Sequence, residues 1–329
     1  MFDGKIILIT GGTGSFGQAF TKNILSNFNP LKIIIFSRDE MKQWEMARNF
    51  PDSRIRFFLG DVRDKERLSR ALFGVDYVVH AAALKIVPSA EYDPFESVKT
   101  NIIGAMNVID VAIDRRVDKV VALSTDKACL PVNLYGGTKL VSDKLFISGN
   151  QYSRPDSTRF AVVRYGNVMG SRGSVIPLFR SQISQGFVTI TDERMTRFMV
   201  TLQQGIETVL LAFQDMQGGE LYVRKVPSMK IVDVVSALDD TVKLKFIGIR
   251  PGEKLHEQMI SKEDAAYTFE YEDYYKILPA TVTAEITNVR TKGGKRVHDG
   301  FYYSSDQNID WMSKETIRQW LKENESTHS

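Results

Sequence analysis

Tyr135 and Lys139 are the residues of this chain whose types and spacing best suit proton transfer. They are the first and last residues of a Tyr-Gly-Gly-Thr-Lys run. Because they stand at positions i and i+4, they share one face of a helix. A lysine cation there would lower the pKa of the phenol, and the tyrosine could then take a proton from a substrate hydroxyl. By itself such a pair is more often a surface contact. Its place downstream of a strand end, in a chain with a glycine-rich loop, favours the catalytic interpretation.

The glycine-rich loop lies near the N-terminus, where residues 10–17 read Thr-Gly-Gly-Thr-Gly-Ser-Phe-Gly. An apolar stretch of strand length precedes the loop, and a helical pattern over residues 16–27 follows it. Glycines let the backbone approach a pyrophosphate, whose charge is met by free amide groups at the helix N-terminus. A tight turn without a ligand is the alternative, but this position favours a dinucleotide. The predicted contacts are Gly11, Thr13, Gly14, Ser15, Phe16 and Gly17.

The end of the second predicted strand indicates which dinucleotide is bound. NAD enzymes place a carboxylate there for the ribose 2′-hydroxyl, whereas Arg38 at the tip and Lys42 one turn on match a 2′-phosphate. We therefore predict NADP; the alternative is a solvated charge cluster in which Arg38 pairs with Asp39 or Glu40. The remaining predicted cofactor contacts come from the ends of successive strands: Ser37, Asp39, Glu40, Asp61 and Val62 at the adenine, Ala81, Ala82 and Ser124.

The elements that position these residues read as alternating strands and helices. Apolar runs occupy residues 5–10, 32–36, 55–59, 77–80, 119–123 and 161–164, with helical patterns between them. Strands that are apolar throughout are typical of a parallel sheet covered on both faces. We predict an α/β fold with a Rossmann-type doubly wound parallel sheet and a smaller C-terminal substrate-binding lobe. The predicted domains are residues 1–170 for NADP and residues 171–329 for the substrate lobe and C-terminal extension.

Composition excludes several other classes. The chain has 329 residues, 43% of them hydrophobic, and a net charge of +3, which describes a globular protein without the basic surface that nucleic acid requires. A single cysteine excludes a disulfide framework and a cysteine-built zinc site. No apolar run reaches the length of a membrane span, and the N-terminus lacks a signal-peptide pattern. We expect a cytoplasmic protein with no metal, no membrane contact and no nucleic-acid partner.

Several motifs resemble those of a known family. The glycine loop, the Tyr135 and Lys139 pair, and the run of residues 164–168 (Arg-Tyr-Gly-Asn-Val) resemble the extended short-chain dehydrogenase/reductase superfamily. Four further runs resemble the soluble UDP-N-acetylglucosamine 4,6-dehydratases, over residues 1–280: Ser-Arg-Asp-Glu at 37–40, Ala-Ala-Ala-Leu-Lys at 81–85, Ser-Thr-Asp-Lys-Ala at 124–128 and Ile-Arg-Pro-Gly-Glu-Lys at 249–254. Membrane-anchored retaining relatives carry methionine in place of Tyr135, so the resemblance points to the inverting branch, which starts pseudaminic acid synthesis for protein glycosylation.

The resemblance implies a role for each catalytic residue. Tyr135 serves O4 of the sugar, Lys139 holds the nicotinamide ribose and tunes Tyr135, Lys127 takes the C5 proton, and Asp126 protonates the leaving 6-hydroxyl. These roles require a neutral lysine and a protonated aspartate, so both pKa values must move toward neutrality, as burial would cause. An ordinary ion pair between Asp126 and Lys127 is the alternative, and it would hold both residues in their inactive charge states.

The resemblance also implies that UDP-N-acetylglucosamine is the substrate and that the protein forms a homo-oligomer, as its relatives do. The predicted substrate contacts are Lys85, Asn167 and Val168 on the first lobe, and Arg197, Arg250 and Glu253 on the second. Three alternatives stay open: a retaining 4,6-dehydratase, a UDP-hexose 4-epimerase, and a regulator that binds NADP without turnover. The epimerase needs neither an acid at O6 nor a base at C5, so the Asp126 and Lys127 pair argues against it.

Overall fold

Seven parallel strands form the centre of the sheet in the computed structural model, which describes residues 1–154, 157–169 and 175–325. The strands of these residues, in chain order, are β1 (Ile6–Thr10), β2 (Lys32–Ser37), β3 (Ile55–Leu59), β4 (Tyr77–His80), β5 (Lys119–Thr125), β6 (Arg159–Tyr165), β7 (Asn167–Val168), β8 (Phe187–Ile190), β9 (Thr196–Val200), β10 (Leu221–Arg224), β11 (Ser228–Lys230), β12 (Lys243–Phe246), β13 (Gln258–Ile260), β14 (Thr268–Glu270), β15 (Tyr274–Ile277), β16 (Lys295–Arg296) and β17 (Tyr303–Ser304).

The strand order is that of a doubly wound sheet. The parallel part runs β3-β2-β1-β4-β5-β6-β10, and β15, β14 and β16 continue it in antiparallel pairing. The chain proceeds from β1 outward to β3 and then returns to β4 on the other side of β1, so the order reverses between β1 and β4. Ligands of such folds bind at this reversal, beyond the carboxyl ends of the strands. The predicted Rossmann-type sheet is confirmed.

Helices cover the sheet in two layers. In chain order the helices of the described residues are α1 (Ser15–Asn27), α2 (Glu40–Asn49), α3 (Lys65–Ala71), α4 (Val87–Tyr92), α5 (Pro94–Val98), α6 (Gly104–Asp114), α7 (Leu134–Tyr152), α8 (Val175–Ile183), α9 (Leu202–Asp215), α10 (Ile231–Leu238), α11 (Ala284–Arg290) and α12 (Lys314–Glu325). Helix α1 packs on α9, whereas α6 packs on both α3 and α7. Strand residues between the layers, such as Ile9, Ile35 and Val121, are fully buried, as their uninterrupted apolar runs predict. No helix in the described parts of the chain is both long and apolar enough to cross a membrane.

A second, smaller core lies in the C-terminal half. Phe179 of α8, Val234 of α10 and Ile317 of α12 are buried in it together with Ile190 of β8. The strands β10, β14, β15 and β16, however, come from the same half of the chain and extend the main sheet. The predicted boundary between residues 170 and 171 lies outside the described residues. The division into two domains therefore stays a prediction, with chain segments that pass between the two cores.

His80 joins the two strands at the point where the strand order reverses. Its Nδ1 lies 2.8 Å from the hydroxyl oxygen of Thr10, which also accepts hydrogen bonds from the amides of Ala81 and Ala82. The Thr10 hydrogen is therefore free to be donated to Nδ1, which makes His80 a neutral acceptor. Burial, together with the Lys139 charge, lowers the pKa of His80 to about 3. The histidine is a buried core residue, as its apolar sequence context predicts.

Because His80 stays neutral in the fold and gains a proton in the unfolded chain, its contribution to stability is present above pH 6.5 and is lost as the pH falls toward 3. We expect this residue alone to cost about 1.4 kcal/mol of unfolding free energy for each pH unit in that window. An asparagine at position 80 can place its side-chain oxygen where Nδ1 accepts from the Thr10 hydroxyl, and asparagine does not titrate. Urea unfolding at pH 7 and pH 5 should show a smaller loss for His80→Asn than for the wild type, and equal losses would contradict this account.

Candidate active site

The glycine-rich loop packs closely against the backbone at the carboxyl ends of β1 and β4. Gly11 has a positive φ of 65°, and a Cβ at this position would lie 2.9 Å from the backbone of Ala82. A Cβ on Gly17 would collide with the carbonyl oxygen of Gly12. Helix α1 begins after Gly14 without a side-chain cap, so the amides of its first turn point outward unmatched by a side chain. The loop therefore has the shape and the donors that a pyrophosphate requires.

The charges at the end of β2 differ from the alternative in which Arg38 pairs with Asp39 or Glu40. The guanidinium of Arg38 lies 3.6 Å from Asp61, which comes from the end of β3, and is half exposed. Asp39 instead caps α2 by accepting from the Lys42 amide, and the Lys42 ammonium lies 2.8 Å from the same carboxylate. Arg38 thus remains accessible beyond the strand end, whereas Lys42 is engaged locally. Ser37 is buried and accepts a hydrogen bond from Thr13 of the glycine loop.

Lys127 lies at the centre of a polar cluster beyond β5. Its ammonium donates to Asp126 Oδ1 at 3.0 Å and to Asn167 Oδ1 at 3.3 Å, and it lies 3.2 Å from Glu257 Oε1. Asp126 is completely buried and also accepts a hydrogen bond from the Thr125 hydroxyl at 2.9 Å. Asp126 Oδ2 and Glu257 Oε2 are buried and without a hydrogen-bond partner in the described structure. Both oxygens therefore retain unused acceptor capacity inside the cluster.

The charge state of this cluster corrects one expectation. Burial alone would lower the pKa of Lys127, but the two carboxylates of Asp126 and Glu257 outweigh it and raise that pKa. The amine is therefore a charged ammonium in an ion pair, and the expected shift toward neutrality is wrong for this state. The physical reason is that the second carboxylate, Glu257, comes from a part of the chain that the motif at residues 124–128 does not include.

Tyr135 and Lys139 share one face of α7, and both are buried. Burial raises the pKa of Tyr135 to about 12, while the Lys127 charge and a hydrogen bond with Thr125 lower it only in part. The expectation that Lys139 would lower this pKa is therefore wrong. The Lys139 ammonium donates to the backbone carbonyl of Leu123 at 2.8 Å, and the nearby cation that acts on the phenol is Lys127.

A network of buried hydrogen bonds holds helix α7, which carries Tyr135 and Lys139, against the strand ends. Ser124, at the end of β5, donates to Asp143 at 2.7 Å, and Asp143 also accepts from Arg164 of β6 at 3.1 Å. Asn101 joins the loop after β4 to α7 through hydrogen bonds to Leu84 and to Thr138. These contacts fix α7 against the strand ends, so the positions of Tyr135 and Lys139 are set by several elements at once.

The predicted substrate residues occupy different parts of this edge. Asn167 contacts Lys127, and Val168 follows it in β7, whereas Lys85 is exposed in the loop after β4. The loop that carries Arg250 and Glu253 lies against the start of α7, because the Asn133 amide donates to the carbonyl of Gly252 at 2.7 Å. This loop is therefore at the predicted edge of the sheet.

Arg197 is placed differently from a free phosphate-binding residue. Its Nη1 donates to the carbonyls of Thr196 and Leu255, its Nη2 donates to the carbonyl of Lys254, and Nε lies 3.7 Å from Glu257. The side chain is buried and its donors are used within the protein. Its predicted contact with substrate phosphate stays a prediction that this geometry does not favour.

Two residues of the cluster were missed by the sequence analysis. Thr125 stands inside the quoted motif, and its position between Ser124 and Asp126 was the available signal. Glu257 lies three residues beyond the motif that ends at Lys254, and no spacing relates it to Lys127. Among the residues that the structure describes, no group of three or more His, Cys, Asp or Glu side chains could hold a metal ion.

Comparisons with known proteins agree with this architecture. Residues 7–279 match a family described as polysaccharide biosynthesis protein. The chain is 54% identical over 324 residues to an inverting UDP-N-acetylglucosamine 4,6-dehydratase of Campylobacter jejuni, with 96% of this chain and 97% of that protein covered. It is 46% identical over 285 residues to a UDP-glucose 4-epimerase of Rickettsia conorii, with 84% of each covered. The solved structure of Pen from Bacillus thuringiensis has a TM-score of 0.90 at 38% identity and 99% coverage of both chains.

Cys129, the only cysteine of the chain, reports on the loop of residues 250–254. The Cys129 thiol is buried, and burial raises its pKa to about 11. The backbone carbonyl of Cys129 accepts a hydrogen bond from the Lys254 ammonium. At pH 8 we expect the native protein to react with a disulfide reagent at least about a hundredfold more slowly than the unfolded chain. Lys254→Ala should accelerate the native reaction, and Lys22→Ala, at an exposed lysine of α1, should not. Equal rates in both variants would show that Lys254 does not hold the loop.

Proposed function

This chain belongs to the polysaccharide biosynthesis protein family, and from that membership we propose that it is a UDP-N-acetylglucosamine 4,6-dehydratase that inverts C5. The observation that carries the proposal is the buried contact between Asp126 and Lys127 beside Tyr135, since a dehydratase needs an acid and a second base in addition to the tyrosine. The identity to the Campylobacter enzyme extends over nearly the whole chain and supports the same substrate and stereochemistry.

The glycine loop fits a nicotinamide dinucleotide, because Gly11 and Gly17 allow the close backbone packing of the loop and the first turn of α1 has no side-chain cap over its amides. When bound, the dinucleotide would supply the hydride chemistry of the reaction, oxidation at C4 of the sugar and reduction at C6. We assign its pyrophosphate to the first turn of α1 and its ribose to Lys139. NADP is the proposed form, because Arg38 is half exposed beyond β2, where a 2′-phosphate would lie.

Three proton transfers can be assigned to residues of the cluster. Tyr135, as phenolate, takes the proton of the 4-hydroxyl, and Thr125 and the Lys127 charge are the groups that lower its pKa. Lys127, as neutral amine, takes the C5 proton, which the new ketone at C4 acidifies. Asp126, as carboxylic acid, protonates the leaving 6-hydroxyl. The contact from Lys127 to Asp126 Oδ1 keeps the base and the acid adjacent. To enter the first turnover, the Lys127 ammonium releases its proton to solvent, to which 23% of its side chain is exposed.

Thr125 closes the proton balance of a turnover. Elimination leaves Tyr135 protonated, Lys127 charged and Asp126 ionised, which is also the charge pattern of the contacts in the structure. Inversion then requires that the ammonium, or a water that it positions, delivers a proton to the opposite face of C5. The phenolic proton passes to Thr125 as the Thr125 hydroxyl gives its own proton to Asp126 Oδ1, so phenolate and carboxylic acid are restored. Each proton taken from the sugar or given to water is thereby accounted for.

The same resemblance supports a cytoplasmic homo-oligomer that starts pseudaminic acid synthesis for surface glycans.

The 46% identity to a Rickettsia UDP-glucose 4-epimerase makes epimerisation the second candidate function. Incubation with UDP-N-acetylglucosamine separates the two, because a dehydratase product is lighter by one water and an epimerase product is an isomer. Proton NMR of the product reports the C5 configuration, which separates inverting from retaining enzymes. An absence of turnover despite NADP binding would favour a regulator.

Substitution of Tyr135 and Lys127 should stop the reaction at different stages. Tyr135→Phe retains the ring but removes the ionisable oxygen, so both dehydration and C5 exchange with deuterated water should fall by about a hundredfold or more. Lys127→Ala should still allow oxidation at C4 but should abolish C5 exchange, because no base remains near C5. Absorbance at about 340 nm follows the reduced cofactor that oxidation at C4 forms, and of the two variants only Lys127→Ala should show it. Mass spectrometry of substrate recovered from deuterated water measures C5 exchange. Retained C5 exchange in Lys127→Ala would assign the base to another residue.

Arg38→Ala tests the choice of cofactor. If the guanidinium binds the 2′-phosphate, its loss should weaken NADP binding about tenfold or more and leave NAD binding nearly unchanged. Calorimetric titrations at fixed ionic strength measure both affinities. Arg48→Ala removes the same charge at the far end of α2, where the side chain lies over Trp44, and should change neither affinity. Equal losses of NADP and NAD binding in Arg38→Ala would remove the 2′-phosphate assignment.

A further inference from the structure

Glu257 is a buried carboxylate at the proposed active site that none of the quoted motifs contains. Its Oε1 lies 3.2 Å from the Lys127 ammonium and 3.7 Å from Nε of Arg197. Only 3% of its side chain is exposed, and in the described part of the chain its Oε2 has no hydrogen-bond partner. A carboxylate is costly to bury, and here the two cations that compensate it are Lys127 and Arg197.

The C-terminal segment holds Glu257 in this place. The Glu257 amide donates to the Ser305 hydroxyl at 2.9 Å, and the Ser305 amide donates back to the Glu257 carbonyl at 2.8 Å. Thr196, next to Arg197, lies 2.7 Å from the same hydroxyl. Strand β13, which starts directly after Glu257, pairs with β17, and the carbonyl of Met259 accepts a hydrogen bond from Arg164 of β6. Residues beyond the family match at 279 therefore help to build the site.

We propose that Glu257 positions the amine of Lys127 and strengthens it as the base at C5, an inference that rests on the proposed dehydratase function. Three acceptors from separate elements surround the ammonium, and Asp126 changes its charge during the reaction, whereas Glu257 is paired with the permanent charge of Arg197. Glu257 is thus the carboxylate that keeps its charge. It attracts the proton that Lys127 takes from C5, and it keeps the amine in the cluster while Asp126 is protonated.

The charged and titratable groups around the Lys127 amine come from every element packed against it. Asp126 precedes it, Tyr135 lies on α7, Arg197 on β9 and Glu257 just before β13, while Asn167 of β7 is neutral. Asp126 and Glu257 raise the pKa of Lys127, and Arg197 lowers it. If glutamine replaces Glu257, one of the two carboxylates that raise the pKa of Lys127 is lost while Arg197, which lowers it, remains, so that pKa must fall.

The test measures the pH dependence of C5 exchange in the complete enzyme with UDP-N-acetylglucosamine in deuterated water. Glu257→Gln keeps the shape and an acceptor oxygen but removes the charge. We expect the acidic limb of the exchange profile to move to lower pH by on the order of one unit. The plateau at higher pH should fall roughly threefold to tenfold, because a weaker base abstracts the proton more slowly. A residue with a purely structural role would lower stability and leave the acidic limb in place.

Two further variants separate charge from placement. Glu257→Asp keeps the charge but withdraws it from the amine, so its acidic limb should lie between those of the wild type and Glu257→Gln; this shift decides the question if the glutamine variant does not fold. Glu220→Gln is the matched control, because Glu220 is also a buried carboxylate near an arginine, Arg290 at 3.7 Å, but on another part of the sheet. Its acidic limb should match that of the wild type.

The outcomes distinguish this inference from the proposed function. Absence of C5 exchange in the wild-type enzyme contradicts the dehydratase function itself. Exchange in the wild type with an unchanged acidic limb in both Glu257 variants overturns the role of Glu257 alone. A shift of the same size in Glu220→Gln also overturns it, because the effect would then follow from the loss of any buried carboxylate.

Discussion

A largely buried ammonium group requires several acceptors from the protein, and this requirement organises the site around Lys127. The amine is supplied by the segment after β5, and its partners come from that segment, from β7 and from the residue before β13. None of these elements is stable at this place alone, because an unpaired charge in the interior is strongly destabilising. The cluster therefore ties the parallel sheet to the C-terminal segments, and the two halves of the chain meet at the atoms that the proposed reaction uses.

The opposing effects on two pKa values follow from the same burial. For Tyr135, burial is the largest influence and holds the phenol protonated, with Lys127 and Thr125 acting against it. For Lys127, burial is outweighed by two carboxylates, so the amine stays charged. Such a site enters the first turnover when the Lys127 ammonium releases its proton to solvent, because Asp126 can take up only one proton. The hydrogen bond from Thr125 to Asp126 offers the path by which the phenolic proton reaches that carboxylate.

The motifs at strand ends were predicted well because their positions depend on local order along the chain. The glycine loop, Arg38, the segment around Asp126 and the pair on α7 each follow an apolar strand, and parallel strands bring their carboxyl ends to one edge. Charge states were predicted poorly. The lowered pKa expected for Tyr135 depended on Lys139, which in the structure donates to a backbone carbonyl instead. The predicted contact of Arg197 with the substrate phosphates required free guanidinium donors. In the structure these donors are hydrogen-bonded to the backbone carbonyls of Leu255 and Lys254.

The sequence by itself determined the alternation of strands and helices, the glycine-rich loop and the types of the proposed reacting groups, because these follow from hydrophobic periodicity and from short motifs whose residues are neighbours in the chain. Tertiary structure alone decided which charges surround those groups. Glu257 reaches Lys127 only because Ser305 and the pairing of β13 with β17 place it there. A pKa is set by the charges and the burial within a few ångströms, and distance in space at this scale is not encoded in distance along the chain.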